Sequence, residues 1–226
     1  MLEQPDQQRI TVNGIRLPVP QHTGWFIDPC FRTVPLPASL LHLGVNNIVL
    51  ERHYGSGSDL EAIYLLGTFG VTLSSAGATL ARLPATLQTG SVTDQGLPFY
   101  SGHIRYHINA GRHGRLALPG VAAACVTFRS PDGRAVHAAP WAPFECQLDQ
   151  LASRDGVVIA DLALTRRNTF GPLHLVPIDQ PAIGPHSFRS SGDAWSDAYQ
   201  LIPAGLTASP QVTGVRLGKN TLQHCE

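Results

Sequence analysis

Glycine and proline interrupt this sequence so often that little room is left for long helices. The chain has 22 glycines and 18 prolines among 226 residues. Few windows keep apolar residues at the i, i+3, i+4, i+7 spacing of a helix for three turns. Short apolar or alternating runs lie between the turn residues instead, and such runs are typical of β-strands. Many short strands separated by Gly/Pro turns favour an all-β chain built as a β-sandwich.

Strands are predicted wherever such runs occur. The clearest is His103–Asn109, which alternates polar and apolar residues as a strand with one solvent-facing side does. Turns are expected at Pro131–Gly133 and at Arg154–Gly156, because Asp-Gly sequences adopt turn conformations easily. The predicted strands are 9–12, 31–36, 47–54, 62–73, 103–109, 115–118, 123–128, 144–148 and 157–164.

The charge balance argues against electrostatic recognition as the main function. Lys plus Arg and Asp plus Glu each number 16, so the formal net charge is zero. No nucleic acid and no anionic membrane is therefore expected as a partner. The longest apolar stretches are shorter than the ~20 residues of a membrane helix. The polar start, Met1–Gln8, is unlike a signal peptide, so we expect a cytoplasmic protein or part of a secreted bacterial-type enzyme.

A weak internal repeat organises the chain. Both copies run strand, glycine turn, aromatic-centred segment, loop and strand, and they close alike with LGTFG at 66–70 and NTFG at 168–171. Strand-like sequence precedes the second copy but not the first. We therefore expect a partial β-sandwich repeat with a connector at residues 1–90 and a complete β-sandwich with a C-terminal tail at 91–226. A partial sandwich leaves open strand edges and an uncovered apolar face.

Several motifs resemble one group of proteins. The pattern is similar to the galactose-binding-like jelly roll of large glycoside hydrolases, in the β-galactosidase and β-glucuronidase class and in α-L-rhamnosidase-like proteins. The motifs that carry the resemblance are 95–106 (QGLPFYSGHIRY), 141–145 (WAPFE), 167–174 (RNTFGPLH), 195–205 (WSDAYQLIPAG) and 59–70 (DLEAIYLLGTFG).

The resemblance implies a non-catalytic accessory domain. Such jelly rolls belong to large enzymes whose catalytic carboxylates lie on a separate barrel, and this chain is too short and too strand-rich for a (β/α)₈ barrel of ~250 residues. It implies weak carbohydrate binding, or bracing of the catalytic domain of a parent glycoside hydrolase, with no cofactor. A structural calcium ion is common in such jelly rolls, but no Asp-rich loop in this sequence marks its ligands. The alternatives are an assembly module without a ligand, such as a homodimer, and a small standalone glycosidase.

A carbohydrate site combines a flat aromatic face with planar polar groups. The aromatic candidates are Trp25, Tyr100, Trp141 and Trp195, and the polar candidates are Asp59, Glu61, Arg105, Glu145, Arg167, Asn168 and His174. Trp141 precedes Pro143 and is expected to fill the core. Tyr100 follows Phe99 in a predicted strand, so the two rings are expected on opposite faces.

Five residues are predicted to contact a ligand: Glu61, Tyr100, Arg167, Asn168 and Trp195. Each of the polar residues has a structural alternative. Glu61 is equally well explained as a charged residue that prevents unwanted pairing at a strand edge. Arg167 could instead pair with an acid such as Glu145, and Asn168 could bind local backbone.

Cysteine, histidine and nucleophile patterns add no catalytic or metal signal. The cysteines, at 30, 125, 146 and 225, form no Cys-x-x-Cys pair. Cys125 is expected in the core, and a Cys125–Cys146 disulfide is left open. His103 and His107 share a strand face at a spacing too wide for one ion. The sequence lacks a Gly-x-Ser-x-Gly elbow, a P-loop and a His-Glu-x-x-His motif.

Overall fold

The chain is mostly β, built from several small antiparallel sheets. The computed structural model describes residues 1–20, 24–56, 58, 62–75 and 77–214. Among these residues the only α-helices are the four-residue α1 (Leu148–Leu151) and α2 (Arg167–Phe170). No helix in the described part of the chain is long and apolar enough to span a membrane. The expectation of a strand-rich chain with few helices is confirmed.

Two compact units make up the chain, Met1–Thr68 and Phe69–Glu226. The first contains β1 (Arg9–Val12), β2 (Ile15–Leu17), β3 (Trp25–Phe26), β4 (Asp28–Arg32) and β5 (Ile48–Glu51). The second contains β6 (Gly70–Ser74), β7 (Gly77–Ala81), β8 (His103–Asn109), β9 (Arg115–Ala117), β10 (Val121–Ala122), β11 (Cys125–Arg129), β12 (Val136–Ala139), β13 (Glu145–Gln147), β14 (Val157–Ala163), β15 (Gly205–Leu206) and β16 (Gln211–Thr213). The expected domains at 1–90 and 91–226 stay predictions.

In the first unit, a three-stranded sheet lies over a small core. Its strand order is β2-β1-β5. Asn13 and Gly14 join β1 to β2, and both have left-handed φ angles, 50° and 81°, as a tight two-residue hairpin turn requires. The buried side chains are Leu2, Ile10, Val12 and Leu17.

In the second unit, two sheets contribute to one apolar core. The four-stranded sheet has the order β12-β11-β14-β8 and the three-stranded sheet the order β13-β9-β16. Their shared buried cluster includes Phe128, Val158 and Leu162 from the first sheet and Leu116 and Cys146 from the second. Alternation along each strand sends one set of side chains into this core and leaves the opposite face of each sheet available for polar groups.

The structure corrects some strand predictions. Of the predicted strand at 62–73, only residues 70–73 pair with another strand, as part of the β6–β7 hairpin. The backbone of Tyr64 instead exchanges hydrogen bonds with the first residue, Met1. Phe99 and Tyr100 lie in a turn region rather than a strand, so strand alternation does not decide which way their rings point.

The cysteine expectations are also corrected. Cys125 and Cys146 are free thiols, so the disulfide left open by the sequence does not form. Cys146 is the buried one, while Cys125 is only half-buried. Burial raises the pKa of the Cys146 thiol to about 12, and the neighbouring Glu145 carboxylate adds to the shift. This thiol is therefore a small core side chain.

Candidate functional site

Tyr100 and Trp195 lie near one aromatic cluster of the second unit. Trp195 stacks on His174 with ring centres 4.3 Å apart, and its indole Nε1 donates to Asp197. Tyr199 contacts His174 on one side and Phe99, the neighbour of Tyr100, on the other. Tyr100 itself is 41% exposed and donates its hydroxyl to the carbonyl of His103. The ring of Trp195 is therefore partly committed to packing.

Asn168 is a buried structural residue. Its side-chain amide donates to the carbonyl of Ile202 at 2.8 Å and accepts from the amide of the same residue at 3.0 Å. The side chain is 3% exposed, so its polar atoms face protein backbone. Asn168 thereby fixes the segment around Ile202 against α2. Its predicted contact with a ligand stays a prediction.

Two guanidinium nitrogens of Arg167, Nη1 and Nη2, have no hydrogen-bond partner among the described residues. Both atoms are inaccessible to solvent, and burial lowers the pKa of Arg167. The acid considered as its partner, Glu145, pairs instead with Arg115, at 3.3 Å from Nη1. Glu61 and Asp59 lie outside the described residues.

Trp141 lies in a different environment from the one that the sequence predicts. It is 75% exposed and follows β12 in a loop, between Pro140 and Pro143. Its ring borders a cavity of about 450 Å³ whose other lining residues include His137, Glu145, Gln147, Gln150 and Arg115. An exposed indole beside planar polar groups is the combination that a sugar ring requires. The expectation that Trp141 fills the core was wrong.

Strands β13 and β9 build the polar floor of this cavity. Glu145 and Gln147 are two residues apart on β13 and so share a face, while Cys146 between them points into the core. Arg115 on β9 lies opposite Gln147 in the ladder and forms its ion pair diagonally with Glu145. The floor therefore presents a guanidinium group, a carboxylate and an amide at one place.

A second cavity adjoins the first. It has a volume of about 640 Å³ and is lined by His113, Gly114, Arg115, Gln147, Asp149, Thr213 and Gly214. His113 Nδ1 and Asp149 Oδ1 are 2.6 Å apart at its side. The hydrogen bond from His113 lowers the pKa of Asp149. None of Tyr100, Arg167, Asn168 and Trp195 lines either of these two cavities.

The Asp149 carboxyl group lacks the raised pKa of a glycosidase acid. A glycosidase needs a carboxyl group that is protonated near neutral pH, and therefore one whose pKa is raised. The pKa of Asp149 is shifted in the opposite direction, and the carboxylate of Glu145 is held by Arg115.

No set of metal ligands stands out. Among the described residues, no group of three or more His, Cys, Asp or Glu side chains is placed to hold a metal ion. The calcium ion expected from the resemblance is therefore assigned to no residues here.

Comparison with known proteins gives no match. No protein-family model matches the chain, and neither a curated protein nor a solved structure does.

Proposed function

We propose that this chain is a non-catalytic carbohydrate-binding module and that the cavity beside Trp141 holds a sugar. The observation that carries the proposal is the 75% exposed indole at the rim of a polar cavity. The apolar ring of an exposed Trp stays in contact with water until a ligand covers it, and the C–H face of a pyranose is a matching flat apolar surface. Arg115, Glu145 and Gln147 supply donors and acceptors for hydroxyl groups.

The proposal includes the fold that the resemblance implies. Two antiparallel sheets that contribute side chains to one core are compatible with a galactose-binding-like jelly-roll β-sandwich. The parent protein would be a glycoside hydrolase whose catalytic domain this module assists. The sugar site is proposed at Trp141 rather than at Tyr100 and Trp195, because Trp195 is already stacked on His174.

Glycan-array binding of the full chain tests the site. Trp141→Ala should lower the affinity for the best-bound glycan about tenfold, which corresponds to about 1.4 kcal/mol of lost binding free energy. Trp25→Ala is the matched control, since Trp25 is a 56% exposed Trp of the first unit, and it should leave binding unchanged. The double variant Tyr100→Ala, Trp195→Ala should also bind normally.

Two outcomes contradict the proposal in different ways. Loss of binding in the Tyr100/Trp195 double variant but not in Trp141→Ala would move the site to the aromatic cluster. No binding by a folded wild-type chain would exclude the carbohydrate-binding function itself. Circular dichroism of each variant establishes that the chain is folded.

A second candidate function is assembly, and the first unit favours it. Apolar side chains of this unit are exposed: Leu43 at 102%, Val45 at 79% and Val49 at 48%. Strand β5, which carries Val49, lies at the edge of its three-stranded sheet. The most direct partner for these exposed side chains is a second copy of this chain, because a formal net charge of zero gives two copies no overall repulsion.

Sedimentation velocity over a concentration series tests assembly. A dimer that forms with rising concentration and is lost in the Leu43→Ser, Val45→Ser double variant would support it. A chain that stays monomeric at every concentration would contradict a homodimer and would make the catalytic domain of a parent enzyme the next occupant to test.

A further inference from the structure

The two cavities beside β9 share part of their floor. Arg115 and Gln147 line both of them. These residues are cross-strand partners on β9 and β13, and Thr213 on β16 is the partner of Arg115 on the other side. The row Gln147–Arg115–Thr213 therefore crosses three neighbouring strands on the outer face of the sheet. At ~4.8 Å between strands, such a row spans roughly 10 Å.

A second row of the same sheet continues this floor. Ala117 on β9 is paired with Glu145 on one side and with Gln211 on the other. Because residues two apart on a strand share a face, this row lies on the same side as the first. Trp141 stands at the β13 end of the floor, and the pair His113–Asp149 stands beside the second cavity. The polar surface thus extends well beyond the sugar that Trp141 would stack.

Each carboxylate along the floor has a nitrogen partner. The Arg115 guanidinium group faces the Glu145 carboxylate, and the His113 ring faces the Asp149 carboxylate. The Arg115 guanidinium group therefore already has an anionic partner, and the His113 ring is hydrogen-bonded to Asp149. A neutral ligand rich in hydroxyl groups fits this surface better than a polyanion, which would have to displace those carboxylates.

We propose that the two cavities form one continuous groove that binds a neutral, linear oligosaccharide of at least two sugar residues. One ring would stack on Trp141, and the next would lie over Arg115 and Gln147 toward His113 and Asp149. This inference rests on the proposed carbohydrate-binding function and adds to it the length and the charge of the ligand. The second cavity then serves as a separate subsite, and a monosaccharide on Trp141 cannot reach its contacts with His113 and Asp149.

The test is a chain-length series bound to the full protein. The probes are galactose, glucose, mannose, xylose and rhamnose, each as the monosaccharide and as linear chains up to the pentasaccharide, on an array and then by titration calorimetry. We expect the affinity for the preferred sugar to rise about tenfold from the monosaccharide to the trisaccharide, because the longer chain fills both cavities.

Variants of the second cavity separate its contribution from that of Trp141. Asp149→Ala should lower the affinity for the trisaccharide about fivefold and leave monosaccharide binding unchanged, whereas Trp141→Ala should weaken both. Asp132→Asn is the control, since Asp132 is another exposed Asp of the second unit with a hydrogen-bonded side chain. It should leave both affinities unchanged.

The possible failures are distinguishable. Sugar binding that does not depend on chain length, or an Asp149→Ala variant that binds the trisaccharide like wild type, would overturn the groove and leave the single-sugar site standing. Tighter binding of uronic-acid chains added to the same array would overturn the neutral ligand. No binding of any probe by the folded chain would overturn the proposed function together with the groove.

Discussion

At the scale of single residues, Asp161 is a nearly buried carboxylate with His103, Arg105 and Arg129 as its neighbours. It lies on β14, on the face turned away from the core, and its side chain is 8% exposed. Arg105 donates to it at 3.1 Å and the His103 ring approaches it at 3.2 Å, while Arg129 lies 3.8 Å away. Burial alone would raise the pKa of Asp161, but the hydrogen bonds from Arg105 and His103 outweigh it and the pKa is lowered.

The lowered pKa gives Asp161 a pH-dependent share of stability. Its carboxylate stabilises the folded state above the unfolded pKa of ~3.9, and this stabilisation is lost as the pH falls through the lower folded pKa. Asp161→Asn should cost about 1 kcal/mol near neutral pH, since the two Arg partners are half-exposed and screened. The difference from wild type should shrink below pH ~3.9.

Urea unfolding of both proteins across a pH series measures this difference. Comparing wild type with variant removes the contribution of the other carboxylates, since both proteins carry them. An Asp161→Asn variant that is as stable as wild type near neutral pH would show that the ion pairs contribute nothing. A difference that stays constant through the acid range would show that it does not arise from titration of Asp161.

The sequence predicted the site incompletely, because an ion pair between residues far apart in the chain cannot be read from a local pattern. Trp141, Glu145 and Arg167 were all recognisable as candidates, but the sequence placed Trp141 in the core and offered Glu145 as the alternative partner of Arg167. The flanking Pro140 and Pro143 are a local signal that could have placed Trp141 in a loop, because proline seldom occupies a central strand. The pairing of Glu145 with Arg115 depends on the β13–β9 register, which no local pattern reveals.

At the scale of elements, one glycine contact fixes the end of the β8–β14 ladder. Gly156 precedes β14, has a φ of +77°, and accepts a hydrogen bond from the amide of Ala110. A Cβ on Gly156 would lie 2.8 Å from the Cα of Gly111, which is closer than two carbon atoms can approach without moving the backbone. Gly133, between β11 and β12, has a similar φ of +72° but open space around it.

Comparing these two glycines separates the cost of a left-handed φ angle from the cost of a steric clash. Gly133→Ala should cost about 1–2 kcal/mol, the penalty for a left-handed residue with a Cβ. Gly156→Ala should cost at least about 1 kcal/mol more, because the ladder end has to open to admit the methyl group. Thermal and urea unfolding of the two variants give the comparison. Equal losses of stability would mean that the backbone at Gly156 admits a Cβ without extra cost. The contact with Gly111 would then not constrain the end of the ladder.

The elements themselves were predictable where the residue pattern is local. Strands β1 and β8 occur at the predicted residues, and β14 differs by one residue at its end. The predicted strand at 62–73 failed because a continuous apolar run does not reveal where a ladder begins, and Gly67 and Gly70 interrupt it. The short strands β10, β15 and β16 have two or three residues each, too few to show any periodicity.

At the scale of the whole molecule, the two units differ in the size of their cores. Among the described residues, the buried apolar cluster of the first unit has four members. The main cluster of the second has twelve, and a further four form a separate cluster. Since each fully buried aliphatic side chain contributes roughly 1.5–3 kcal/mol, the first unit has much less apolar burial to offset the entropy of ordering its chain.

The first unit should therefore open before the second unfolds. Native-state hydrogen exchange of the full chain, read on peptides that cover β1 and β14, gives the free energy of opening for each. We expect the β1 amides to exchange at a free energy a few kcal/mol lower and with a smaller dependence on denaturant, because less surface is exposed when the first unit opens alone. Val12→Ala, which removes part of the small core, should lower only the β1 value. If both peptides exchange at the same free energy and Val12→Ala lowers both, the two units unfold in one cooperative step, and the four-residue core is stabilised by more than its own burial.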